Sequence, residues 1–295
     1  MIIKRLGLGL LLILASGSMT PASAQTEAGG AASTPDKSSY TLFNPTPDDQ
    51  LRPFCTDRPT KANVPCAVDA GHFQYESDII NWTHAHTDGV TANEYLIPNP
   101  TFKVGLTNRI DLELNIAPAE IVSTSGGLGK QSLTGVSNLI VRTKVNLAGP
   151  EGGDFQAVII PYVQFPTAKP GIGNKAVEGG AIAPISFGLP QDFTLLFDPE
   201  IDILRNNDNT GRHTNFQNLA NLSHALSDSV TGYLELWGQV NNDPAGTTKQ
   251  ASLDLALSWL VRPDLPNLQF DIGANIGLTS QTPRVQAYIG VSQRF

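Results

Sequence analysis

The sequence predicts an all-β fold: a transmembrane antiparallel β-barrel of about twelve strands, with N- and C-termini on the periplasmic side. Three observations carry that prediction. From about Gly71 to Phe295 the chain is a succession of segments in which apolar and polar residues alternate. Side chains alternate across a strand, so each segment has one apolar and one polar face. The segments run near the ten residues of a tilted membrane strand, whereas strands of soluble sheets average about 5–6. Third, the chain begins with an export signal and ends on an aromatic residue.

Composition narrows the field first. The chain has 295 residues and 16% charged residues, against about a quarter in an ordinary globular protein. Two cysteines are too few for a disulfide scaffold, and a formal charge of −8 argues against a nucleic-acid partner. After the first segment no apolar run approaches the roughly 18 residues of a spanning helix.

Lys4 and Arg5, the apolar run Leu6 to Ala15, and Ala22-Ser23-Ala24 form the three parts of a secretory signal. The expected signal peptide is 1–24, cleaved before Gln25, and its removal takes the formal charge from −8 to −10. Residues 25–69 are expected to be a flexible N-terminal segment, because 25–63 is rich in Ala, Gly, Ser, Thr, Pro and Asp and has no period. Cys55 and Cys66 lie close together in an oxidising compartment and are expected to close a small disulfide loop. A metal held by two thiols is the rival reading.

The barrel is expected over 70–295. Its segments are 71–82, 93–106, 109–117, 134–147, 154–165, 176–188, 192–204, 213–225, 229–240, 250–262, 267–279 and 284–295. The eleventh is the clearest: Leu268, Phe270, Ile272, Ala274, Ile276 and Leu278 face one way, Gln269, Asp271, Gly273, Asn275 and Gly277 the other. Short turns at 107–108, 189–191, 226–228 and 263–266 alternate with longer loops at 83–92, 118–133, 166–175, 205–212 and 241–249. Short periplasmic turns and longer external loops are the pattern of an outer-membrane barrel. A soluble β-sandwich also alternates, but its strands are shorter and it has no need of an aromatic end. In the last segment Val285, Ala287, Ile289, Val291 and Phe295 share a face. A terminal Phe295 after alternating apolar residues resembles the signal read by the outer-membrane assembly machinery.

Thr56-Asp57-Arg58-Pro59, followed by Gly71-His72-Phe73-Gln74-Tyr75-Glu76 at the start of the first strand, resembles the outer-membrane transporter family labelled for a meta-pathway of phenol degradation. In that family a Thr-Asp-Arg-Pro segment precedes a first strand of the form Gly-x-x-x-x-Glu. The resemblance covers about 55–295 and implies passage of small aromatic or hydrophobic compounds. The two cysteines are not a feature associated with the family.

If the apolar faces meet lipid, the polar faces line the interior. The candidate pore-lining acids are Glu76, Asp78, Asp111, Glu113, Asp198, Glu200, Asp202, Glu235, Asp254 and Asp271. The basic candidates are Lys103, Arg109, Arg142, Lys144, Arg284 and Arg294, of which Arg142 and Lys144 are expected as partners of the Asp198-x-Glu200-x-Asp202 triplet. Tyr233, Trp237 and Tyr288 fall on the same face, as do Tyr95 and Tyr162. Acids outnumber bases, and a pore ringed by carboxylates favours cations. The competing reading is that acids and bases pair and fill the barrel.

No catalytic constellation emerges. His84 and His86, with Asp88 beside them, could share a metal at i, i+2, but no third ligand is apparent and they suit a solvated loop. His213 with Asp208 is the nearest approach to a barrel-mouth protease pair. Gly126-Gly127-Leu128-Gly129-Lys130 fails as a phosphate loop because Gln131 stands where Ser or Thr is required. The expectation is a non-enzyme without cofactor or metal, exported to the bacterial outer membrane. Its partners would be outer-membrane lipid, the assembly machinery and a small-molecule solute. It would serve as a passive channel with an acidic lumen, or alternatively as a closed structural or adhesion barrel.

Overall fold

A computed structural model describes residues 36–127, 129–261 and 267–295. The signal peptide 1–24, its cleavage site and part of the 25–69 segment lie outside the described residues, as do Leu128 and the expected turn at 263–266.

The described residues form one continuous antiparallel sheet of seventeen hydrogen-bonded segments. Pairs of segments run on into each other, giving twelve barrel strands. These are β1 (Phe73–Thr87), β2 (Val90–Leu96 then Asn99–Thr107), β3 (Ile110–Asn115 then Glu120–Gly126) and β4 (Gly129–Gly135 then Leu139–Ala148). They continue with β5 (Phe155–Phe165), β6 (Glu178–Ile182 then Ile185–Leu189), β7 (Phe193–Phe197 then Glu200–Arg205) and β8 (Arg212–Ala225). The last four are β9 (Val230–Asp243), β10 (Gly246–Leu260), β11 (Leu268–Gly277) and β12 (Val285–Arg294). The first strand pairs with the last, from Gln74↔Arg294 to His84↔Val285, and closes the ring. Around the ring each of the twelve strands has a hydrogen-bonded neighbour on both sides, the condition for a sheet to stand in lipid.

The alternation has the expected sense. Leu253, Leu255, Leu257 and Trp259 stand exposed on the outside of β10, while Ser252, Asp254 and Ser258 between them are buried. Such an inside-out distribution, with large apolar side chains outside and carboxylates inside, is stable only against an apolar solvent.

Two expectations about the connections are corrected. Residues 83–92 and 118–133 are not loops: β1 and β2 stay paired to Thr87↔Val90, and β3 and β4 to Gly126↔Gly129. A two-residue turn suffices in the first hairpin because Asp88 and Gly89 both adopt positive φ, 50° and 76°, matching the twist of the flanking strands. The stretch expected as the loop 241–249 is likewise paired to Asp243↔Gly246. The split strands also change the parity of the inner face. Lys103 and Asn99 point inward, but beyond Pro98 the inward residue is Glu94, paired with Thr83. Tyr95, paired with Trp82, therefore lies on the outer face, contrary to the parity count.

Residues 36–69 are not a free tail. At the short-turn end Thr41 bridges to Thr107 and the Lys37 ammonium meets Glu151 at 2.5 Å. The chain then enters the barrel, turns and returns. Cys55 and Cys66 are joined by a disulfide across the two limbs, so residues 56–65 form a closed finger inside the lumen.

Candidate functional site

The finger is held by a sequence of charge contacts around the inner wall. Asp57 lies between the ammonium groups of Lys103 (β2) and Lys144 (β4), the latter at 2.9 Å. Lys103 also meets Glu76 at 2.7 Å, and both lysines approach Glu113 at 3.6 and 3.5 Å. Arg58 spans two strands: its guanidinium donates to Asp271 (β11) at 2.6 and 2.9 Å and to Asp78 (β1) at 2.7 Å. Lys61, at the tip, pairs with Asp254 (β10) and donates to Ser252 Oγ at 3.0 Å, while its backbone N–H donates to Glu235 (β9) at 3.2 Å. Asn63 donates twice to Asp198 (β7), at 2.8 and 3.0 Å. On the way out, the Val68 N–H donates to Asp111 (β3) at 2.9 Å, and Asp69 meets Arg52 at 3.1 Å and Arg294 at 3.6 Å.

Several forces shape the finger itself. Val64 N–H donates to the Asp57 carboxylate at 2.7 Å and tightens its base. Ala62 and Val64 pack on Leu196 and Leu219, with Trp237 alongside. A second apolar cluster, Val158, Ile160 and Ile182, lies on the inner face of β5 and β6. Burial works to raise the Asp57 carboxyl, but Lys103 and Lys144 overcome it and hold the group well below its usual range. The Arg58 guanidinium is held above its ordinary value: burial opposes the charge, and Asp271 and Asp78 more than offset it.

Thr56, Asp57, Arg58 and Glu76 of the motif each have a structural task. Thr56 Oγ1 lies 2.8 Å from Ser292 Oγ on β12. Glu76 accepts the Asp57 N–H at 3.1 Å. Gly290 faces the Arg58 guanidinium, where a Cβ would stand 2.0 Å from Nη2. Gly105 faces the returning limb, where a Cβ would stand 2.0 Å from the Asp69 carbonyl oxygen.

Among the candidate pore residues, Glu76, Asp78, Asp111, Glu113, Lys144, Asp198, Asp202, Glu235, Asp254, Asp271 and Tyr288 are buried inside the barrel. Most do not line open space, because the finger occupies it. The expected pairing of Lys144 with the 198–202 triplet is corrected: Lys144 binds Asp57 and lies near Glu113. Arg142 has no ion pair among the described residues. Asp202 accepts Tyr162 OH and the Asn215 and Gln217 amides at 2.8 and 3.0 Å. Tyr288 stands beside Arg58, whose Cζ is 5.7 Å from the ring centre. Trp237 faces Lys61, with Nζ 5.2 Å from the ring centre. Tyr233 OH sits 3.2 Å from Ser258 Oγ. Phe295 closes the sheet by exchanging backbone hydrogen bonds with Phe73.

The catalytic and metal candidates are not assembled. His213 lies 3.0 Å from Asn206 Oδ1 and 3.5 Å from Asp243, while Asp208 is occupied by Thr210. His84 and His86 contact Asn93 and Thr91. Sequence reasoning missed Arg58, Lys61 and Asp57 as lumen residues, although the motif that contains two of them was visible.

The family model described as "Putative MetA-pathway of phenol degradation" matches residues 56–295, from the finger to the last strand. The crystal structure of an outer membrane channel from Pseudomonas putida F1 is similar at 13% identity and TM-score 0.54, covering 76% of this chain and 94% of that one. The NanC porin is similar at 8% identity and TM-score 0.47, covering 75% and 98%. The translocator domain of the autotransporter NalP from Neisseria meningitidis follows at 10% identity and TM-score 0.45, covering 76% and 88%. No curated protein matches the sequence.

Proposed function

This chain belongs to the family described as "Putative MetA-pathway of phenol degradation", and on that premise we propose that it is a passive outer-membrane channel for small solutes, closed at rest by its own N-terminal finger. The observation that carries the reading is the finger's position. A disulfide-closed loop fills the lumen and is fastened by side chains whose charges match the wall. The short-turn end, where residues 36–50 and Phe295 gather, is then the periplasmic face, and the long hairpins of β1–β2 and β3–β4 project outward. Small aromatic or hydrophobic compounds are the solutes the family suggests.

With the finger withdrawn, the wall would present Asp78, Asp271, Asp254, Glu235 and Asp198 to the lumen and favour cations. Passage needs no cofactor. Lipid outside and the assembly machinery in the periplasm are the partners this reading requires. A closed structural barrel is favoured by the same docked finger if the finger never leaves.

Planar-bilayer recording separates the two. The full-length mature chain should show rare or small current steps, and a variant lacking 25–69 should show sustained cation-biased steps. A folded truncated barrel that stays silent overturns the channel reading.

A further inference from the structure

The three charged anchors of the finger are not equivalent. Asp57 is enclosed by two lysines, and Arg58 is tied by three hydrogen bonds to two carboxylates. Lys61 is different. It sits at the tip, its side chain keeps 27% of its exposure, and it borders a cavity that extends beyond the finger. That cavity, about 250 Å³, is lined by Lys61, Trp237, Gln250, Asn275, Gln286 and Glu94 among others.

The seat beneath Lys61 brings two buried carboxyl groups to one ammonium. Glu235 and Asp254 are direct cross-strand partners, 0% and 1% exposed. Like charges directly opposite on a sheet repel, and two buried carboxylates need compensation. The Lys61 ammonium meets Asp254 alone of the two, while Glu235 accepts from the Lys61 backbone N–H at 3.2 Å and from the Asn221 amide at 2.9 Å. Even so, Asp254 Oδ1 has no hydrogen-bond partner among the described residues. The Trp237 ring flanks the ammonium at 5.2 Å, a geometry that attracts organic cations.

We propose that this seat is a recognition site for small organic primary amines with an aromatic or apolar body, and that Lys61 is its built-in occupant. Resting on the channel reading, the proposal makes the amine the solute that loosens the finger tip. The incoming ammonium takes the place of the Lys61 ammonium between Asp254 and Ser252, beside Glu235, and its body lies against Trp237 in the cavity. Lys61, covalently tethered, acts as a competitor at high effective concentration, so the intact chain binds such amines weakly. Arg58 remains docked, which makes release of the tip a local event rather than ejection of the finger.

The test is calorimetric titration of the refolded full chain and its Lys61→Met variant with benzylamine, and with benzyl alcohol as the uncharged control. The variant should bind benzylamine at least tenfold more tightly than the natural sequence, should ignore benzyl alcohol, and should lose binding when Asp254→Asn is added. Equal binding of amine and alcohol, or no amine binding by folded Lys61→Met, overturns the proposal. A second measurement needs no change at Lys61. Hydrogen exchange of the 56–65 backbone in the natural chain should rise with benzylamine, stay unchanged with benzyl alcohol, and show no amine effect in Asp254→Asn. Unchanged exchange at saturating benzylamine also overturns the proposal. The two readings fail separately: amine binding with a silent truncated barrel removes the channel and keeps the site, while current without amine binding does the reverse.

Discussion

Arg58 is the contact whose loss should open the finger most. Arg58→Ala removes three hydrogen bonds, at 2.6, 2.7 and 2.9 Å, and leaves Asp78 and Asp271 facing each other in the lumen. Both are buried, at 4% and 7% exposure, so neither recovers full hydration while the finger stays. Removing one partner of a buried ion pair costs about 3–5 kcal/mol. At about 1.4 kcal/mol per decade, the ratio of docked to undocked finger should fall roughly a hundred- to several-thousand-fold. The barrel itself keeps every strand pairing, so its folded form on a gel without boiling should persist. Single-channel recording should show longer and more frequent openings, and trypsin should cut at Lys61 in a barrel that is otherwise resistant. Adding Asp78→Asn and Asp271→Asn should partly restore closure, because neutral amides tolerate burial better than carboxylates. An Arg58→Ala channel with natural open time and a protease-resistant Lys61 would refute the idea that this ion pair fastens the finger.

Three further outcomes follow from the same geometry. Gly105→Ala places a Cβ 2.0 Å from the Asp69 backbone oxygen, which cannot swing away as a side chain would; the returning limb should lift, with raised hydrogen exchange over 66–70 and no loss of barrel. Replacing Cys55 and Cys66 by Ser frees the undocked finger to sample many more shapes. For a loop of this length the cross-link contributes roughly 3 kcal/mol at most, so open probability should rise by up to about two decades, and mild reductant on the natural chain should do the same. Asp57 gives the pH dependence: its carboxyl is held below the ordinary value, so its contribution to docking is complete above about pH 4 and lost as pH falls toward the docked value. Current should therefore be flat with respect to Asp57 from pH 5 to 8 and rise in stronger acid, and Asp57→Asn should weaken closure at neutral pH and reduce that rise, the remainder coming from the carboxylates that hold Arg58 and Lys61.

The barrel was legible because membrane strands repeat one rule that composition cannot hide. Leu268 to Leu278 alternate without a break, and the same rule located the other strands to within a few residues except where they run on into hairpins. Those extensions, such as Val90–Leu96 and Gly129–Gly135, carry polar residues on both faces because they rise beyond the lipid, so the period vanishes where the solvent changes. Parity counting also failed across Ile97-Pro98, where the strand is interrupted and the inward register shifts from Glu94 to Asn99. The finger was hidden for a different reason. Its residues have no period, since each side chain meets a different strand, and a low-hydrophobicity stretch reads as a free tail unless the partner charges are known. Thr56-Asp57-Arg58-Pro59 was the visible clue: two opposite charges side by side are ordinary on a surface, but they carry information when the strands they meet hold Lys103, Lys144, Asp78 and Asp271.

That charge order does more than hold the finger. Along the inserted loop the sequence runs Asp57, Arg58, Lys61, and the wall answers with two lysines, then two carboxylates, then two more carboxylates. Advancing the finger so that Arg58 took the place of Asp57 would set it between Lys103 and Lys144, and withdrawing it so that Asp57 took the place of Arg58 would set a third carboxylate between Asp78 and Asp271. Either displacement exchanges attraction for repulsion in a partly dehydrated space, where charges interact more strongly than in water. An apolar plug of equal volume would bind comparably and slide more freely. A matched polar plug has one good position and a steep cost for small displacements, so it is closed or released with little between. The disulfide keeps the released loop compact and near its seat, which makes re-entry fast compared with that of a free tail. A gate with those two properties suits a channel that must stay shut to the medium and open for a ligand able to compete for one of its charges.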